Sequence, residues 1–199
     1  MLFDLPVPCP RRHLLPAPSS GSRRAVFLDR DGVLTEDRGY LSDAADLRLL
    51  EGAAEALHCL RAAGWALVVV TNQSAVARGM LTEEGLAAIH ARLQERLSAS
   101  GARVDAIYYC PHHPEAARED YRRDCPCRKP APGMLLAAAA DLNLDLSASW
   151  LVGDQERDIE AAQRAGVRGI LLADPPPGRT AATAVVPSLR EAVGVILDA

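Results

Sequence analysis

Residues 25–34 read AVFLDRDGVL. A short apolar run that breaks into Asp29-Arg30-Asp31-Gly32 describes a buried strand ending on a polar turn. Alone, Asp-Gly after a strand reads equally well as a hairpin turn. The rest of the chain decides between the two. WALVVV (65–70), DAIYYC (105–110), SWLVGD (149–154) and RGILLAD (168–174) are further buried-strand patterns, and helical spacing lies between them. Ala53, Ala56, Leu57 and Leu60 fall at i, i+3, i+4 and i+7 ahead of Gly64, and Leu86, Ile89, Leu93 and Leu97 repeat the pattern before Gly101. Pro132 opens a helix through MLLAAAADL, Ile159, Ala162 and Ala165 make a stripe before Gly166, and AVVPSLREAVGVIL (184–197) adds a strand and a closing helix. Strands alternating with helices predict an α/β fold, a doubly wound parallel sheet with its site at the carboxyl ends of the strands.

Composition bounds the rest. The 199 residues are 49% hydrophobic but only 4% aromatic, so Ala, Leu and Val must fill the interior. A formal net charge of -4 supplies no general field for nucleic acid or an anionic membrane. The longest plainly apolar run, WALVVV, is far shorter than the ~20 residues a spanning helix needs. Residues 1–24, rich in Pro, Ser and Arg, are expected to be a flexible tail ahead of one domain over 25–199. Arg11-Arg12 is not followed by the apolar stretch of an export signal, so a cytoplasmic, disulfide-poor protein is expected. Cys9 and Cys59 are read as incidental, and Trp65, Trp150 and His90 as packing residues.

The polar residues gather where the fold rule puts a site. Strand one ends in Asp29 and Asp31, strand two in Thr71-Asn72-Gln73-Ser74, and strand four in Gly153-Asp154 with Asp158 shortly after. Each has a plain structural reading as turn, loop or helix start. Together they bring three carboxylates, a hydroxyl and Lys129 to one sheet edge, where like charges need a cation between them. Mg²⁺ suits such carboxylates and leaves positions for phosphate oxygens. A carboxylate there can attack phosphorus to give an aspartyl-phosphate.

VFLDRDGVL, VVVTNQS, CRKP and VGDQERD resemble, in order and spacing, the four motifs of haloacid-dehalogenase-type phosphatases, over about residues 24–198. The resemblance implies a Rossmann-like core with a minimal cap. It makes Asp29 the nucleophile and Asp31 the general acid, then base, with Thr71 and Lys129 on the transferring phosphoryl group. Mg²⁺ would be held by Asp29, the Asp31 backbone carbonyl and Asp154, with Asp158 in support. Arg30, Asn72, Gln73 and Ser74 are implied to be substrate-binding. A phosphorylation-controlled receiver module also carries acids, a hydroxyl and a lysine on such a sheet. Its phosphoacceptor ends the third strand, where this chain has Cys110.

Cys110-x-His112 and Cys125-x-Cys127 offer three thiolates and one imidazole, the set that closes a tetrahedral structural zinc site. A disulfide would leave one cysteine odd. A nucleic-acid finger is opposed by residues 113–129, where Arg118, Arg122, Arg123, Arg128 and Lys129 face Glu115, Glu119, Asp120 and Asp124. Structural zinc supplies roughly 10–16 kcal/mol, which offsets much of the about 2–3 kcal/mol for closing a loop of this length and the about 1–2 kcal/mol per residue for ordering its backbone. The loop over 110–127 is therefore read as a clamp that positions Arg128 and Lys129.

Within the superfamily, this loop resembles that of the heptose-1,7-bisphosphate 7-phosphatases. It implies removal of the 7-phosphate of a small sugar bisphosphate by a monomer, with TEDRGYL placing Asp37, Arg38, Gly39 and Tyr40 near the sugar and Arg128 at its distal end. Histidinol-phosphate phosphatases carry a similar, shorter loop and are the alternative. Gln155 departs from the pattern, which often has lysine there.

Overall fold

The computed structural model describes residues 10–14 and 23–199. Its strands are β1 (Arg11–Leu14), β2 (Ala25–Leu28), β3 (Ala66–Asn72), β4 (Ala106–Cys110), β5 (Trp150–Gly153), β6 (Arg168–Leu172) and β7 (Ala184–Val186). The α-helices are α1 (Ala53–Ala62), α2 (Glu83–Ala99), α3 (Gly133–Leu142), α4 (Glu156–Ala165) and α5 (Leu189–Leu197). One sheet runs in the order β1-β4-β3-β2-β5-β6-β7, parallel throughout except for β1. Every strand expected from the sequence is present, with its ends within two residues.

Alternation along the strands builds two cores. Val26, Leu28, Leu67, Val69 and Ile107 point to one face, against Leu57 and Leu60 of α1, Leu86, Ile89 and Leu93 of α2, and Ile196 of α5. Ala25, Phe27, Val68, Val70 and Tyr108 point to the other, against Met134, Leu135 and Ala138 of α3 and Ala161 and Ala162 of α4. The helices start where the chemistry directs. The Thr82 hydroxyl accepts from the Gly85 N–H at 3.1 Å, and Glu83 and Glu84 occupy the positive end of α2.

The winding fixes the site. From β2 the chain steps outward through β3 to β4, then returns to lay β5 on the other side of β2. The crevice at this switch point lies beyond the ends of β2 and β5. Asp29 follows β2 directly, and its N–H donates to the Val152 carbonyl of β5 at 3.0 Å. Asp154 follows β5.

The expected tail needs correcting. Arg11–Leu14 pair antiparallel with β4, Arg11 opposite Tyr109 and Leu14 opposite Ala106. Their polar sequence hid this, because the strand is held largely from its sides. Arg11 pairs with Glu83 at 2.7 Å and Arg12 with Asp141 at 2.8 Å. The Nδ1 atoms of His13 and His90 lie 3.2 Å apart. The remainder of the expected tail, residues 1–9 and 15–22, lies outside the described residues. Among the described residues, no helix is long and apolar enough to cross a membrane.

Candidate active site

Lys129 is the chain's single lysine, and its ammonium is buried at the switch point. Its Nζ lies 2.6 Å from Asp158 Oδ1 and 3.1 Å from Asp29 Oδ1, and it donates to the Val70 carbonyl at 2.7 Å. Two carboxylate oxygens and one carbonyl surround it. Burial by itself would depress this ammonium, but Asp29 and Asp158 more than offset it and hold its pKa raised. The Asn72 side chain clamps the Lys129 backbone, accepting from its N–H at 3.1 Å and donating to its carbonyl at 3.0 Å.

Asp158 was expected beside the magnesium. Its Oδ1 is engaged by Lys129 and its Oδ2 accepts the Gln155 N–H at 3.2 Å, so this buried carboxyl stands behind the lysine at the start of α4. Burial pushes it up to about 6, against the pull of Lys129.

Asp29, Asp154 and Asp158 each offer an oxygen within 4.8 Å of the others. Burial raises Asp154, and the Asp29 charge adds to that rise, while the Gln155 amide opposes it from 3.0 Å. A carboxylate raised by burial and by a neighbouring carboxylate fits a site for a divalent cation. Gly32, at φ 76, makes the close approach possible, since a Cβ there would collide with the Asp154 carboxyl.

Above this floor opens a cleft of about 390 Å³, lined by Asp29, Asp31, Thr71, Asp154 and residues of the rim. Asp37, Gly39, Tyr40, Asn72, Gln73, Ser74 and Arg128 line it as expected. Two expected substrate contacts do not. Arg38 is turned to Glu36 at 3.1 Å, and Arg30 is 1% exposed with its guanidinium on Asp31. Neither turn is encoded by spacing, because the direction of a side chain after a strand is set by the local backbone.

Arg78, His113 and Arg157 also line the cleft and were missed. Arg78 lies in the turns after β3, with its guanidinium 5.6 Å from the Tyr40 ring centre, and Arg157 lies in the first turn of α4. Burial lowers Arg128, and the charges of Arg157 and Arg78 lower it further. Among the described residues, Arg78 and Arg157 have no carboxylate partner in an ion pair. Cationic residues closely following VVVTNQS and VGD were the available signal.

The cysteine loop forms a second, separate cluster. Cys110, His112 and Cys125 present ligand atoms within 4.8 Å of one another, and Cys127 Sγ lies 3.0 Å from Cys125 Sγ. All four are buried. Their mutual hydrogen bond pushes Cys110 up and holds Cys125 down. The converging donors of Cys110, His112 and Cys125 are compatible with zinc. The loop reaches the cleft through Arg128, whose Nη1 donates to the His112 carbonyl at 3.2 Å.

The "HAD-hyrolase-like" family model matches residues 126–192. A D-glycero-beta-D-manno-heptose-1,7-bisphosphate 7-phosphatase of Photorhabdus laumondii is 46% identical over 143 residues, covering 72% of this chain and 76% of its own length. The chain belongs to this phosphatase family. The Vibrio cholerae member is 43% identical over 175 residues, 85% of this chain and 94% of its own. Among solved structures, D,D-heptose 1,7-bisphosphate phosphatase from B. bronchiseptica, complexed with magnesium and phosphate, superposes with a TM-score of 0.76 at 34% identity. It covers 88% of this chain and 98% of its own.

Proposed function

We propose that this chain removes the 7-phosphate of D-glycero-D-manno-heptose 1,7-bisphosphate. The observation that carries the reading is a nucleophile-bearing floor beneath a rim of three arginines, Arg78, Arg128 and Arg157. One phosphate goes down to react and a second anionic group stays at the rim. Histidinol phosphate, with a cationic amine at its far end, would meet those arginines unfavourably.

Asp29 attacks phosphorus as the bond to O7 breaks. The electron pair leaves on that oxygen, which takes a proton from Asp31, and heptose 1-phosphate departs. Water then attacks the aspartyl-phosphate, gives its proton to Asp31, and inorganic phosphate leaves with Asp29 restored. Thr71 meets the phosphoryl oxygens and the buried Lys129 ammonium lies beside Asp29, so the charge developing there falls on positive charge and a donor set in advance. The carboxylates of Asp29 and Asp154 and the Asp31 carbonyl would hold magnesium, which, when bound, neutralises phosphoryl charge. Cys110, His112, Cys125 and Cys127 would hold zinc in a structural role. Residues 25–199, with the loop at 110–127 and with β1 on the sheet edge, then make one catalytic domain working as a monomer.

Phosphate release from heptose bisphosphate and histidinol phosphate, with and without Mg²⁺, tests the reading. Heptose bisphosphate should be preferred by at least about tenfold in kcat/KM, the scale of one charged hydrogen bond. Phosphorus NMR should find the 1-phosphate retained. Arg78→Ala and Arg157→Ala should each shrink the preference. Better use of histidinol phosphate would overturn the assignment.

A further inference from the structure

Asp31 is gripped by the protein from several sides. Arg30 donates through Nε to Oδ1 at 3.0 Å and through Nη2 to Oδ2 at 2.7 Å, a two-pronged fork. Thr35 Oγ1 lies 3.2 Å from Oδ1, and Gln73 Nε2 donates to Oδ2 at 2.9 Å. The fork comes from inside the molecule, since Arg30 is 1% and Gln73 5% exposed. Asp31 itself keeps a quarter of its side chain open, 24%, and lines the cleft.

Gln73 carries the grip across to a second reacting group. Its Oε1 accepts from Arg30 Nη2 at 3.0 Å, which settles which end of the amide is which. Its Nε2 must then face Asp31 and Thr71, donating to Thr71 Oγ1 at 2.8 Å. A hydroxyl that accepts a bond from one side is left with its own hydrogen for another partner. Thr71 also lines the cleft, so that hydrogen is available to a phosphoryl oxygen.

We infer that Arg30 and Gln73 are positioning residues, forming a buried clasp that orients the Asp31 carboxyl for proton transfer and the Thr71 hydroxyl for phosphoryl binding. Both act through Asp31 and Thr71. The inference rests on the proposed acid role of Asp31. Binding a phosphate and protonating its leaving group are thereby set by one hydrogen-bonded unit, Arg30-Gln73, bridging the ends of β2 and β3.

The test uses two substrates that differ in their need for an acid. A sugar alkoxide is a poor leaving group and depends on protonation, whereas p-nitrophenolate leaves with little help. The quantity read is kcat/KM, which reports phosphoryl transfer to Asp29 and is unaffected by the later hydrolysis. Arg30→Lys keeps the charge and loses the fork. Gln73→Met keeps the shape and loses the amide. In both, kcat/KM for heptose bisphosphate should fall at least about tenfold further than for p-nitrophenyl phosphate, since acid catalysis contributes about 10²–10⁴. Gln73→Met should also weaken inorganic phosphate binding several-fold. A purely structural role would lower both substrates together, and that result, or no change, overturns the clasp. Should Arg30→Lys fail to fold, Gln73→Met decides alone. Wild-type protein inactive on both substrates would remove the phosphatase reading and the clasp with it. Wild-type protein active on both, with variant ratios unmoved, removes the clasp only.

Discussion

Two ligand clusters lie on either side of the Arg128-Lys129 segment, and they differ in kind. The carboxylate cluster is open. Asp29 and Asp154 face a cleft of about 390 Å³, and the charge they carry is only partly answered by Lys129. The thiol-imidazole cluster is closed, with Cys110 and His112 at 0% exposure and Cys127 at 1%. An open set of hard oxygens leaves room for a cation and a phosphate to come and go. A closed set of sulfur and nitrogen would leave its ion no open position and would serve only to hold chain in place. The difference between catalytic and structural ligation is thus one of spare capacity.

Removing the open cluster's nucleophile should have the largest effect. Asp29→Asn is nearly isosteric, so the fold should persist while turnover falls by at least about a thousandfold, nucleophile and phosphoryl charge balance being lost together. Mass spectrometry of acid-quenched protein should find no phosphoenzyme. A variant that kept a tenth of wild-type turnover would displace Asp29 from this role. The closed cluster should respond differently. Cys125→Ser should lower zinc content, measured by elemental analysis, and reduce activity by about 10–100-fold, the scale of losing metal support. Brief chelation should instead abolish activity reversibly with zinc still bound. Full activity in zinc-free protein would dissolve the contrast.

The smallest effect is expected at the β1 edge, away from both clusters. Burial holds His90 well below its usual pKa, with the charge of Arg30 and the neighbouring His13 adding to it, and burial lowers His13 too. Groups depressed in the folded state are neutral in both states above about pH 6.5, so their full contribution is present there. As pH falls below that value the unfolded chain takes up protons first, and stability declines by up to about 1.4 kcal/mol per pH unit for His90. Urea midpoints between pH 7 and pH 5 should show this slope and lose part of it in His90→Asn. An unchanged slope would place the acid sensitivity elsewhere.

The floor of the site was legible because topology converts sequence order into position. Asp29, Thr71 and Asp154 each end a strand or follow one directly, and parallel strands put those ends together. What was hidden depends on side-chain direction. Arg30 stands between two cleft-lining aspartates, yet its side chain turns into the protein to grip Asp31. Arg78 and Arg157 reach the rim from a turn and a helix start, positions with no periodicity to read. β1 was hidden because its Arg-Arg-His-Leu sequence owes its place to Glu83, Asp141 and His90, partners far away in the chain.

A chain with one lysine carries two kinds of primary amine, the α-amine and Lys129 Nζ. The side chain of the latter is 0% exposed and held as an ammonium between two carboxylates. An amine-directed reagent is therefore kept from Lys129 while the protein is folded. Its modification would have to wait for the floor of the site to open. The molecule thus contains its own reporter, in which mass addition at one internal residue times the exposure of the reaction centre.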